Sequence, residues 1–348
     1  MTFAITGLGE PTHGSDALLE ARNEIFRGLV EREGYRAIAI ESDCLMGLVV
    51  DDYVTAGKGT LDEAMRRGFS HGFAASAANR ELVRWLRAYN EDRPAVERVR
   101  FAGLDGPLEI THAASPREAL TALHGCMSDL TPCTAEELDE LIGDDTRWAE
   151  PAAMMDPSRS VGRTPEAQRL RLIADDMAAQ PLESERARLY ARTATGLLRY
   201  HYWLADTSPD RMAWLLGIRA SMMAANLRAI ADERKVMAFA HNGHLQREKS
   251  SVRLGDRRYE WWSAGARLGG DYTFLSMAIG TFREHGVEAP PPDTIEGLLY
   301  ARPGDRHQVD PAELGTEFTP RVSPWFGYAP LDPAHLGSID RIVFVKDA

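Results

Sequence analysis

Four acid/base residues in two short stretches carry the chemistry of this sequence. Glu10 and His13 sit three residues apart in GLGEPTHGS, and His241 and His244 repeat that spacing in AFAHNGH. A carboxylate and an imidazole held together are suited to proton transfer near neutral pH. They are also metal donors, so a site built from Glu10, His13, Glu41, His241 and His244 could hold Zn, Mn or Fe. A loop histidine bonded to a local carboxylate is the ordinary alternative for Glu10 and His13. A hydrogen-bonded structural pair is the ordinary alternative for His241 and His244.

Both stretches follow short apolar runs, Phe3 to Leu8 and Lys235 to Ala240, which read as strands. In open α/β sheets, ligands bind at the carboxyl ends of the strands. A third run, Arg36 to Ile40, delivers Glu41 and Asp43, and a fourth, Val99 to Leu104, ends at Asp105. Between the first and third runs, Ser15 to Glu33 has helical periodicity, with Ser15 or Asp16 as cap and Gly34 as stop. The resulting strand–helix–strand unit is expected to set Glu41 on a strand end adjacent to His13. Gly7 and Gly9 suggest a dinucleotide turn, but Gly14 comes too late for GxGxxG. There is no GxSxG serine elbow and no HExxH zinc motif.

The remaining chain frames this unit. The patterns predict an α/β fold with a mainly parallel central sheet flanked by helices. Residues 1–109 and 235–348 form the core, and 110–234 a helical insertion covering the cleft. The Pro- and Gly-containing stretch Asp144 to Arg163 is expected to be an irregular loop or lid, and Tyr200 to Trp203 an aromatic packing cluster. Gln246 to Gly270 is expected to be an exposed loop, and Pro290 to Pro333 to be irregular. Tyr272 to Ile279 and Arg341 to Val345 read as further strands.

The chain has 348 residues and a formal net charge of −12, which disfavours nucleic-acid binding. No run reaches the ~18 apolar residues of a membrane span. No basic region followed by an apolar stretch opens the chain, so no secretory signal is expected. Three cysteines without CxxC argue against a disulfide framework and fit a reducing cytoplasm.

GLGEPTHGS, the helix bearing Arg22, IAIESD, GLDG, AFAHNGH and AGARLGGDYTFLSMAIG together resemble the erythromycin esterase family in order and spacing. The resemblance implies a hydrolase that opens a lactone or ester of a small natural product without a covalent serine intermediate or a cofactor. His13 would be the general base, with Glu10 and Glu41 orienting it. His241, His244 and Arg22 would bind the carbonyl or developing oxyanion. His71, Asn79, Asp105 and Asp43 would line the substrate. The family's tryptophans before Asn79 are replaced by HGFAASAA, and its Arg-Asp pair in the last long helix by Arg219-Ala220. These departures alter pocket walls, so a non-macrolide ester, or non-hydrolytic acid/base chemistry, is compatible with the same scaffold.

Overall fold

A computed structural model describes residues 4–109, 112–127 and 131–348. The predicted start of the first strand at Phe3 and the predicted insertion boundary at 109/110 touch residues outside those described. The strands are β1 Ile5–Glu10, β2 Ala37–Asp43, β3 Arg100–Asp105, β4 Val236–His241, β5 Lys249–Leu254, β6 Arg257–Trp262, β7 Tyr272–Thr281, β8 Arg306–Val309 and β9 Arg341–Asp347. Seven of them form one sheet in the order β3-β2-β4-β1-β7-β9-β8, parallel except for the edge strand β8.

The order differs from the sequence expectation at one decisive place. β1 and β2 are not neighbours, because β4 inserts between them and pairs with both. Glu10 is thereby in register with His241. The β2–β3 register shifts between Ile40 and Asp43, at the residue that carries the Glu41 carboxylate. Such an irregularity re-aims a side chain at a strand end.

The helices are α1 Asp16–Glu33, α2 Gly47–Ala56, α3 Leu61–Gly68, α4 Ala77–Asn90, α5 Arg117–Gly125, α6 Ala135–Ile142, α7 Asp145–Trp148, α8 Pro165–Ala178, α9 Glu185–Leu204, α10 Arg211–Ala231, α11 Asn242–Leu245, α12 Ala264–Leu268 and α13 Ile295–Tyr300. α1 starts where the sequence places it: the Ser15 side chain accepts from the Leu18 N–H, and Gly34 at φ 74° closes it. One face of the sheet buries Leu18 and Phe26 of α1 and Leu82 and Leu86 of α4 against Ile38 and Ile40. The other buries Met223 and Leu227 of α10 and Leu299 of α13 against Ala39, Phe274 and Phe344. A sheet covered on both faces needs continuously apolar strands, which is how β2, β4 and β9 read.

The helices between β3 and β4 build their own core around Leu120, Leu170, Ile173 and Leu198. The second half of α10 leaves that layer and packs on the sheet. Several irregular-looking stretches are regular. Residues 144–163 hold α7 and two short 3₁₀ turns, with Trp148 buried. Arg211 pins them through the carbonyls of Met154 and Ala153 at 2.7 and 2.6 Å. Residues 249–262 form the β5–β6 hairpin, turning at Gly255-Asp256, a two-residue turn signature. Residues 290–333 contain α13 and β8. The aromatic cluster packs as expected, with His201 edge-on to Trp148 at 5.0 Å.

Candidate active site

The carboxyl ends of β1, β2, β3 and β4 bring Glu10, Glu41, Asp105 and His241 to one rim of the sheet. The β1–α1 loop adds His13, and α11, starting at once after β4, adds His244. Gly9 has to be glycine here, because a Cβ would overlap Asn242 at the start of α11. The imidazoles of His13 and His241 lie 5.6 Å apart between centroids, and those of His241 and His244 6.4 Å apart. Residues more than 200 positions apart therefore share one polar hollow.

Within it, Glu10 Oε1 lies 2.7 Å from His13 Nδ1. Glu10 is buried, and its Oε2 has no hydrogen-bond partner among the described residues. Burial raises its pKa, against the pull of His13. The His13 side chain is 42% exposed and its Nε2 is 3.9 Å from Glu41 Oε2. Partial burial disfavours its charge, but Glu41 and the bond to Glu10 outweigh that and push it up to about 9.

Glu41 is the hub. Its Oε1 meets His244 Nε2 at 3.1 Å and accepts from Arg219 Nη2 at 3.0 Å; its Oε2 accepts the His241 backbone N–H at 2.8 Å. Burial disfavours its charge, yet His244, His13 and Arg219 hold it well below the usual carboxylate range. His241 behaves in the opposite way. Burial and the neighbouring imidazoles press its pKa down to about 3, so the ring is neutral. Its Nδ1 accepts the Gly243 N–H at 3.1 Å, which puts the proton on Nε2.

The remaining predicted residues fall into two groups. Arg22 is 1% exposed and gives its guanidinium to Asn79 Oδ1 at 2.8 Å and to Asn23 Oδ1 at 2.8 and 3.1 Å. Asn79 in turn donates to the Phe73 carbonyl at 3.0 Å, and the Phe73 ring stands 5.5 Å from His13. Arg22 and Asn79 thus support the hollow from behind. Asp43 accepts the N–H groups of Leu45 and Met46 at 2.7 and 3.3 Å, and burial lifts its pKa to about 6. His71 and Asp105 lie together. His71, at φ 55°, contacts Glu109 Oε2 at 2.7 Å and Asp105 Oδ2 at 3.6 Å. A left-handed backbone is uncommon for residues other than glycine, and histidine is one of those that adopt it more readily.

Arg219 of α10 is the residue that sequence reasoning passed over as a site member. It bonds Asp105 Oδ2 through Nη2 at 2.6 Å and Nε at 2.8 Å as well as Glu41. Its signal was an arginine on the otherwise apolar stretch that sends α10 onto the sheet, where a buried charge requires a carboxylate.

Among the described residues, no three His, Cys, Asp or Glu side chains form a group able to hold a metal ion.

The sequence pattern of erythromycin esterases matches residues 30–342. The chain belongs to the erythromycin esterase family. Family membership implies a hydrolase that acts on esters. The chain is similar to the erythromycin esterase type II of Escherichia coli, with 24% identity over 322 residues, covering 84% of this chain and 73% of that protein. The family fold is also that of a solved Bacillus cereus protein, at a TM-score of 0.72 and 19% identity, covering 100% and 89% of the two chains. An erythromycin esterase mutant, EreC, in its open conformation superposes with a TM-score of 0.66 at 17% identity, covering 99% and 90%. Among the described residues no helix is long and apolar enough to cross a membrane.

Proposed function

We propose that this family member hydrolyses a carboxylic ester or lactone of a small natural product, with water as the nucleophile and His13 as its general base. The observation that carries this reading is the 2.7 Å contact between Glu10 and His13 Nδ1. It fixes the tautomer that leaves Nε2, on the half-exposed side of the ring, free to take a proton from water. Glu41, 3.9 Å from Nε2, stabilises the imidazolium that forms.

The tetrahedral intermediate needs a donor for its oxyanion. His244 can fill that role in its doubly protonated form, with Nε2 donating to Glu41 and Nδ1, which has no partner among the described residues, donating to the oxyanion. Arg22 and His241 are the less suited donors, since the Arg22 guanidinium is spent on Asn79 and Asn23 and the His241 ring is hydrogen-bonded to the Pro11 backbone as well as to the Gly243 N–H. His71, Asp105 and Asp43 stand as the substrate-facing polar wall in this reading, and Asn79 as its support. The proton held by His13 passes to the leaving alkoxide as the carbonyl reforms, giving an acid and an alcohol. No metal takes part in this scheme.

The test is turnover of a panel of macrolide and simpler lactones and esters in oxygen-18 water, with and without chelator. Label in the product acid, its loss in His13→Ala, and indifference to chelation support the reading. An unlabelled, isomerised product would assign the site to cyclisation or elimination instead.

A further inference from the structure

A second cavity lies along the edge strand β3, from Arg100 to Gly103, and is also lined by Ala37 at the start of β2 and Cys44 just past its end. It lies between α2, the start of α9 and the end of α10. Its volume of about 90 Å³ corresponds to about three waters at ~30 Å³ each. Leu48, Phe101 and Ile230 give it apolar walls.

Its charges are unevenly matched. Arg100 is held by Asp51 at 2.5 Å, Arg234 by Glu185 at 2.6 Å, and Arg186 by Asp52. Arg188 is spent on the Leu182 and Glu183 carbonyls through Nη1, at 3.0 and 3.4 Å, and on Glu233 through Nη2 at 3.4 Å. Arg192, one turn further along α9, has no carboxylate within ion-pair distance among the described residues. Its one side-chain bond runs from Nε to Asn226 Oδ1 at 3.2 Å. Two like charges one turn apart repel, which costs stability unless an anion joins them. Burial lowers the Arg192 pKa, the direction expected of a cation lacking a counter-charge.

We infer that this cavity is a binding site for a small organic anion, its carboxylate or phosphate on Arg192 and its compact apolar body against Leu48, Phe101 and Ile230. The site is separate from the Glu10–His13 hollow, and its existence does not depend on the reaction performed there. A guanidinium provides paired, charge-assisted N–H donors to such a group. The apolar walls favour a ligand that carries carbon over a bare inorganic ion.

Calorimetric titration of the full chain with phenyl phosphate, benzoate, phenol and inorganic phosphate tests this. One-to-one binding of phenyl phosphate or benzoate is expected, and the tighter of the two identifies the head group. Phenol and inorganic phosphate should each bind at least tenfold more weakly. Arg192→Gln should weaken the organic anion at least tenfold, the loss of one charged hydrogen-bond pair. Ala229→Phe, which fills the cavity lining while keeping Arg192, should do the same and carries the test if Arg192→Gln fails to fold by circular dichroism. Absence of binding of both organic anions at about 10 mM, where a 1 mM site would be mostly filled, overturns the inference. So does equal binding by wild type and Ala229→Phe, or inorganic phosphate binding as tightly as phenyl phosphate.

Discussion

The guanidinium of Arg219 reaches Glu41 across 178 positions of sequence, with Nη2 3.0 Å from Oε1. The same nitrogen lies 2.6 Å from Asp105. One helix of the upper layer thus clamps the ends of two neighbouring strands, and the carboxylate it holds is the one that faces His13, His241 and His244. Polar groups buried in this way are costly unless each is paired.

That clamp predicts a stability effect. Arg219→Met leaves Asp105 and Glu41 buried with a lost partner, and should cost about 3–5 kcal/mol. Urea unfolding measures it. Combining Arg219→Met with Asp105→Asn should recover part of the loss, and a strictly additive double mutant would reject the coupling.

The raised pKa of His13 predicts the pH profile of turnover. A base must be neutral to accept a proton, and a group titrating at about 9 is mostly protonated at pH 7. In the proposed mechanism kcat/KM should therefore rise about tenfold per pH unit from neutrality and level off near pH 9. A flat profile between pH 7 and 9 would show that His13 is not the base.

Glu10→Gln separates positioning from charge. The amide keeps a polar partner for Nδ1 but removes one of the anions that lift the His13 pKa. The plateau rate should fall by about 10²-fold while the rising limb moves to lower pH. A positional role alone would lower the rate without moving the limb.

The same pKa shift links His13 to folding stability. Its folded pKa lies above the unfolded value of 6.5. Its contribution is therefore present in full below pH 6.5 and disappears as pH rises through about 9. The ring is 42% exposed, so solvent screening limits the effect to about 1 kcal/mol. The stability difference between wild type and His13→Gln should shrink by that amount from pH 6 to pH 10 in denaturant titrations.

Gly103 on β3 tests the packing beneath the site. A Cβ there would meet the backbone carbonyls of Ser42 and Asp43, where the β2–β3 register shifts. Gly103→Ala should cost about 1–3 kcal/mol in thermal or urea unfolding, the usual penalty for overpacking. A neutral substitution would mean that the two strand ends are free to separate.

Much of the site was legible because its signals are local. A three-residue spacing sets Glu10 beside His13, and a strand followed at once by a helix sets His241 beside His244. Apolar runs mark the strands, and caps such as Ser15 and Gly34 mark α1, because burial periodicity and orphan backbone groups are properties of short segments. The β5–β6 hairpin stands where an exposed loop was expected, although Gly255-Asp256 marks its turn, and β8 is a short, exposed edge strand with little alternation to read. Other features belong to the tertiary structure alone. Segment patterns do not rank strands within a sheet, so the placement of β4 between β1 and β2, and with it the pairing of Glu10 with His241, appears only in the fold. Nor do they reveal which arginine meets which acid. Arg22 looked available but packs behind the hollow, whereas Arg219 looked like a helix residue and holds its hub. Burial and long-range Coulomb partners decide such roles, and the same environment drives two histidines of one cluster to opposite charge states, His13 to about 9 and His241 to about 3.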